Sequence, residues 1–268
     1  MYIDFHTHCF PDALAPRAME KLKDISARFD FIKAHTNGTA SDAKRKLTAA
    51  GITHAVVCNI ATNPRQETNV NDFAISLTAD PFFSPLGSIH PDSDKKAAEL
   101  DRLVAAGIRG IKLHPDYVHV LFSDPRFDEI LSLAEERGLF VIVHAGRDPI
   151  SPDLVHATPD MFAAAHKRHP KLTLIAAHMG GFAKAREVLE ELVGTNIYLD
   201  TSLCSLREDE KELLYQILAE HDPARLLFAT DTPWSSASRE IAFLEGAPIP
   251  EAKKALIRAE NAAGLLGL

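Results

Sequence analysis

A His-Thr-His triplet at positions 6 to 8 closes a short apolar run, Met1-Tyr2-Ile3-Asp4-Phe5. Side chains alternate faces along a strand, so His6 and His8 point the same way. Two imidazoles on one face at a strand end supply much of a metal site. Further donors stand at the ends of other apolar runs: His90, His114, His144 and His178, then one carboxylate, Asp231. Imidazole nitrogens with a carboxylate oxygen suit Zn2+ first, and Mn2+, Fe2+ or Co2+ as well. An ion held this way with one open position lowers the pKa of its bound water toward neutrality.

Local context sharpens some of these residues and leaves others open. His144 ends the very apolar Val141-Ile-Val-His-Ala-Gly146, where a buried imidazole needs a partner. His178 has the same setting in Ala176-Ala-His-Met-Gly-Gly181. Asp231 follows an apolar strand as a metal ligand or as the N-cap of the next helix. In Gly110-Ile-Lys-Leu-His-Pro115, alternation puts Lys112 and His114 on one face. An inward lysine would be costly unless paired, and would bind a substrate carboxylate or be carboxylated between two metals. An outward lysine would simply lie beside a helix. His90 reads as a pocket residue rather than a ligand, and His54, at a strand start, as structural. His35, His119, His156, His166, His169 and His221 fall in loops or on helix surfaces and receive no role.

Eight apolar runs must position these groups: 2–6, 54–58, 84–90, 110–114, 139–144, 172–178, 196–200 and 226–231. Most are continuous in Val, Ile, Leu and Phe, the pattern of parallel strands covered on both faces. Helical spacings lie between them. Phe127, Ile130, Leu131 and Ala134 form one stripe, with Pro125 ahead and Gly138 behind. The segments ending at Gly51 and Gly107, each Leu-x-Ala-Ala-Gly-Ile, are two helix-to-strand joints of a repeating β-α unit. Eight such units in 268 residues predict a single (β/α)8 TIM barrel domain over residues 1–268. A doubly wound open sheet is the runner-up, weakened because no G-x-G-x-x-G follows a strand. Irregular stretches at 10–38, 59–70, 115–125, 147–160 and 201–207 are expected loops on the catalytic face. The segment from Glu260 to Leu268 is expected to be a closing helix on the barrel exterior.

Composition narrows the function classes. Hydrophobic residues make up 46% of the chain, enough for a sizeable core. A net charge of −8 argues against a nucleic-acid surface. Cys9, Cys58 and Cys204 are far apart and show neither disulfide nor zinc-ribbon spacing. Neither a signal peptide nor a membrane-length apolar stretch is visible, so a cytoplasmic protein acting on a small molecule is expected, with no membrane partner.

The ordered set of motifs resembles the metal-dependent amidohydrolase superfamily, above all the branch of aminocarboxymuconate-semialdehyde decarboxylase and related barrel hydrolases. It comprises Asp4-Phe-His-Thr-His8 with Pro11, Gly110-Ile-Lys-Leu-His-Pro115, Val143-His-Ala-Gly146, Ala177-His-Met-Gly-Gly181, Thr230-Asp-Thr-Pro233 and the Asn-Ala-Ala at 261–263. The resemblance implies His6, His8, His144 and Asp231 as ligands of one divalent metal and His178 as a catalytic residue. In two-metal relatives a fourth-strand lysine is carboxylated, so Lys112 with His178 would hold a second ion. A homodimer also follows from the resemblance. TatD-type deoxyribonuclease barrels open on H-x-H too, but carry a glutamate where this chain has Ile-Lys-Leu-His.

The leading expectation is hydrolysis of a small, carboxylated amide, ester or lactone by a metal-activated water. Asp231 would move the proton and His178 would steady the oxyanion. Lys112, His114, Arg147 and Trp234 would hold the rest of the substrate. The alternative is non-oxidative decarboxylation of an aromatic or muconate-like acid on the same site. A ligand-binding barrel without catalysis is a third reading, disfavoured because no ligand is missing.

Overall fold

The computed structural model describes residues 1–29 and 32–268, and each apolar run in it becomes a strand. These are β1 (Tyr2–Thr7), β2 (Ile52–Cys58), β3 (Phe83–Leu86), β4 (Gly110–Leu113), β5 (Phe140–Val143), β6 (Leu174–Ala176), β7 (Tyr198–Asp200) and β8 (Leu226–Leu227). Regular ladders run β1-β2-β3 and β4-β5-β6-β7-β8, all parallel. Both seams between the ladders are stitched. A bridge joins Gly87 to Ile111, and Lys112 N donates to Gly87 O at 2.8 Å. On the other side Thr7 bridges Thr232, Phe5 N donates to Phe228 O at 2.9 Å, and Asp231 N donates to His6 O at 2.8 Å. The strands therefore form the expected (β/α)8 ring.

Several strands stop short of the sequence expectation, and the reason bears on chemistry. β6 ends at Ala176 and β8 at Leu227, whereas the apolar runs continue to His178 and Asp231. His178 and Asp231 have φ of 57° and 62°, left-handed values that no strand accommodates. The backbone thus turns at these residues and sets them on the mouth of the barrel.

Side-chain alternation divides the core. Phe5, Val56, Leu86, Ile142, Ile175, Leu227 and Ala229 belong to the inner cluster, while Val57, Ile111, Val141, Val143, Leu199 and Phe228 pack outward against helices. The helix Pro125–Glu136 buries the predicted stripe Phe127, Ile130, Leu131 and Ala134 and is capped by Asp124, which accepts from Arg126 N at 2.9 Å. Two expectations need correction. The stretch 10–38 contains the helix Ala15–Ser26, with a proline in its first turn. The closing helix Asn261–Leu266 does not lie on the exterior: Ala262 and Leu266 join the inner cluster with Ile3 and Phe140, so it covers one end of the barrel interior. Among the described residues no helix is long and apolar enough to cross a membrane.

Candidate functional site

The first donor group is built where β1 meets the segment after β8. A register irregularity lies between Asp4 and Thr7. The Asp4 carboxylate accepts from Thr230 N at 2.9 Å and Thr230 Oγ1 at 2.6 Å, and from His6 N at 3.2 Å, tying the two segments together. Burial pushes Asp4 up to about 8. His8 Nε2 then stands 2.9 Å, and His6 Nε2 3.4 Å, from the same Asp231 Oδ1. The three donor atoms lie within 4.8 Å of one another.

The outer nitrogens decide what the inner ones offer. His6 Nδ1 donates to Asp200 Oδ2 at 2.9 Å and His8 Nδ1 to Cys58 O at 2.8 Å. With Nδ1 as the donor, each Nε2 turns its lone pair toward the same carboxylate oxygen. Acceptors crowded against an acceptor call for a cation, and a carboxylate or carbonyl behind each imidazole is how metal-binding histidines are oriented. The residues therefore fit a divalent metal. Burial holds the His6 imidazole well below the ordinary histidine range, keeping the ring neutral and ready to ligate.

Lys112 is fully buried beneath the cavity, and its Nζ donates to His6 Nε2 at 3.1 Å. Desolvation lowers its pKa. The inward alternative for this lysine is the observed one. Beside it runs a chain of polar contacts. Ser202 Oγ donates to Asp200 Oδ1, His178 Nδ1 to Ser202 Oγ at 2.7 Å, and His144 Nδ1 to His178 Nε2 at 3.0 Å. Burial depresses His178 far below the usual imidazole range and His144 to about 4, so both rings are neutral. His114 stacks on His144 with ring centroids 4.2 Å apart.

Above these groups opens a cavity of about 550 Å3. Its floor holds His6, His8, Lys112, His144, His178 and Asp231. Its walls are largely apolar: Phe10, Leu22, Ile25, Ile60, Phe73 and Phe182 line it, several from the helix Ala15–Ser26 and the segment before it. Arg147, exposed at the rim, lies over the Phe29 ring at 5.5 Å. Tyr117, Asp148 and Trp234 also line it.

Residues 3–268 match the amidohydrolase family. The chain belongs to that family. Solved structures of similar fold include an uncharacterized TIM-barrel protein from Bordetella bronchiseptica (TM-score 0.77, 19% identity, 99% of this chain and 98% of that one). Another is 2,6-dihydroxybenzoate decarboxylase from Rhizobium (TM-score 0.68, 17% identity, 99% and 98%). A third is 5-carboxyvanillate decarboxylase from Novosphingobium aromaticivorans, complexed with manganese and 4-hydroxy-3-methoxy-5-nitrobenzoic acid (TM-score 0.70, 14% identity, 100% and 96%). No curated protein matches the chain.

Within this amidohydrolase-family barrel, the nine residues singled out by sequence all line one cavity: His6, His8, Lys112, His114, His144, Arg147, His178, Asp231 and Trp234. They do not form one donor group. His6, His8 and Asp231 cluster, whereas His144 falls with His114 and Asp148. His90 is buried outside the cavity lining, and His54 makes a hydrogen bond to Ser84 Oγ at 2.8 Å. His156, His169 and His221, expected in loops or on helix surfaces, are buried. Sequence reasoning missed Asp4, Asp116, Asp148, Asp200 and Ser202. Asp200 carried a signal, since it ends an apolar run as Asp231 does, and Asp4 another, since it precedes His6 by two residues on one strand; the other three had none.

Proposed function

We propose that this chain is a metal-dependent enzyme that removes CO2 non-oxidatively from a small aromatic carboxylic acid. The observation that carries the reading is the shape of the cavity: largely apolar walls above a floor that gathers Lys112 and the His6, His8, Asp231 group. An apolar ring with one anionic end fits such a space. The decarboxylases among the similar folds support the same choice.

His6, His8 and Asp231 would hold the cation, which when bound supplies Lewis acidity toward a carboxylate or phenolate oxygen. Manganese accompanies three of the similar structures, and the donor set suits Mn2+, Zn2+, Fe2+ and Co2+ alike. Lys112 meets the carboxylate at the floor, and Arg147 a second anionic substituent at the rim. Asp231 carries the proton that replaces the departing group. The carbon–carbon bond breaks, its electron pair stays on the ring carbon, and that carbon takes the proton: RCOO− plus H+ gives RH plus CO2. His178, held by Ser202 and touching His144, orients the floor. Leu22 and Ile25, on the cavity face of the helix Ala15–Ser26, keep water from the reacting carbon.

Hydrolysis of an amide, ester or lactone is the second reading, favoured by the contact of Asp231 with both imidazoles, where a carboxylate serves equally as base toward water. Incubating the metal-loaded protein with hydroxybenzoates and carboxylated lactones separates the two. Labelled CO2 release from a carboxyl-labelled benzoate is the expected result. Acid release from the lactones without any CO2 would replace this reading by hydrolysis.

A further inference from the structure

Two helices each turn toward the cavity an apolar stripe that their own packing does not use. The helix Ala15–Ser26 is seated on the protein through Ala15, Met19 and Ser26, which are buried. Ala18, Leu22 and Ile25 follow one another at helical spacing on the neighbouring face, are only half-buried, and line the cavity. The helix Glu67–Leu77 repeats the arrangement. Its buried residues are Glu67, Asn71, Ala74 and Leu77, whereas half-buried Val70 and Phe73, to one side of these, line the cavity. Apolar side chains left partly in water gain when a ligand covers them.

Both stripes stand beside the metal-binding group. Phe10 and Pro11 lead from His8 to the first helix; Asn59 and Ile60 lead to the second from Cys58, whose carbonyl accepts from His8 Nδ1. Above the floor, the charged Arg147 and Asp148 follow β5, which lies across the eight-stranded ring from β1. From Ala18 to Ile25 the first stripe runs roughly 10 Å, at about 1.5 Å per residue. A single ring leaves most of this space empty. The cavity measures about 550 Å3, and an apolar cavity of about 150 Å3 already holds benzene.

We infer that the substrate is an aromatic acid with an apolar extension opposite its carboxylate, a second ring or a short alkyl chain, and that Ala18, Leu22, Ile25, Val70 and Phe73 select it. The carboxylate end is that of the proposed decarboxylation, on which this reading rests. That end meets Lys112 on the floor, and the extension lies between the two helices, ending near exposed Lys21 and Asn69. Each methylene drawn from water there should tighten binding about 4-fold.

Benzoate, para-butylbenzoate and para-phenylbenzoate probe the groove in the Mn2+-loaded protein by titration calorimetry. They lack the hydroxyl that helps a ring carbon take up a proton, so binding is read without turnover. The two extended acids should bind about 30-fold or more tighter than benzoate. Ala18→Trp and Val70→Trp, each filling the groove from one helix, should cut that preference to about 3-fold or less. Circular dichroism identifies a variant that fails to fold, and the other variant then decides with the wild-type series. Equal affinity of the three acids for wild type would overturn the proposal, as would a preference that survives intact in either folded tryptophan variant. The hydroxylated forms of the same acids separate the groove from the reaction. CO2 from the plain acid with no gain from extension would remove the groove and keep the reaction. The full preference in binding, with no CO2 from any of them, would keep the groove and remove the reaction.

Discussion

His6 Nδ1 lies 2.9 Å from Asp200 Oδ2, with both side chains shut away from solvent. The contact makes Asp200 the residue that turns the His6 Nε2 lone pair toward Asp231. Carboxylates behind metal-binding imidazoles fix the tautomer and raise ligand basicity. Asp200→Asn should therefore weaken Mn2+ binding by about 10-fold to 100-fold. Equilibrium titration of the stripped variant with Mn2+ measures this, and an affinity equal to that of wild type would remove the orienting role.

Lys112 makes the opposite prediction for stability. Its ammonium is fully buried and donates to an imidazole nitrogen, and it forms no ion pair with a carboxylate among the described residues. Burial lowers its pKa despite the nearby Asp200, Asp231 and Asp148, so the desolvation cost of the charge outweighs its Coulombic return. Lys112→Met, similar in volume, should melt no lower than wild type and should lose about 100-fold or more in turnover of a carboxylated substrate, the usual scale for removing one aligned cationic donor. A variant that melts much lower would show that the lysine is chiefly structural.

The barrel was legible because its strands are continuous apolar runs, a pattern that survives in the sequence without any partner in view. His6, His8 and Asp231 were legible because they end such runs. The hidden part consists of groups whose meaning is set by distant contacts. Asp116 and Asp148 sit in segments that look like ordinary loops, and only folding brings their oxygens to His144. The helix Ala15–Ser26 was missed because its mean composition is polar, although Leu22 and Ile25 reach the cavity. The closing helix was misplaced because small alanines give no sign of which surface they cover.

Gly146 tests how the β5 mouth is held. Its φ is 88°, and a Cβ there would stand 2.1 Å from Phe182 N and 2.4 Å from Phe182 O. These are backbone atoms, tied in place by the bond from Phe182 N to Ala145 O at 2.9 Å. No rotamer relieves such an overlap, and the left-handed backbone adds its own strain. Gly146→Ala should cost about 2 kcal/mol or more, on the scale of core overpacking. Urea denaturation measures it, and a loss below about 0.5 kcal/mol, the usual scale of a surface change, would mean that the 182 segment moves freely away from β5.

Glu240 provides a pH test away from the metal-binding residues. Its carboxylate is buried; Oε1 accepts from Ser205 Oγ at 2.6 Å and Ser235 Oγ at 2.5 Å, and Oε2 from Ser205 N at 3.0 Å. Burial outweighs these bonds and pushes its pKa from 4.5 up to about 7. Between those values the folded protein holds a proton that the unfolded chain releases. Rising pH therefore favours unfolding, and the stability linked to this group is complete below the unfolded value and lost by the folded one. The slope is about 1.4 kcal/mol per pH unit at most. Glu240→Gln keeps an acceptor for the two hydroxyls and removes the titration. The unfolding free energy of wild type minus that of Glu240→Gln should fall by roughly 3 kcal/mol between pH 4 and pH 8, an order-of-magnitude figure from the same linkage. A difference that stays level across that range would show that Glu240 is ionised in the folded protein well below neutrality, with the two serines and the Ser205 amide compensating its burial.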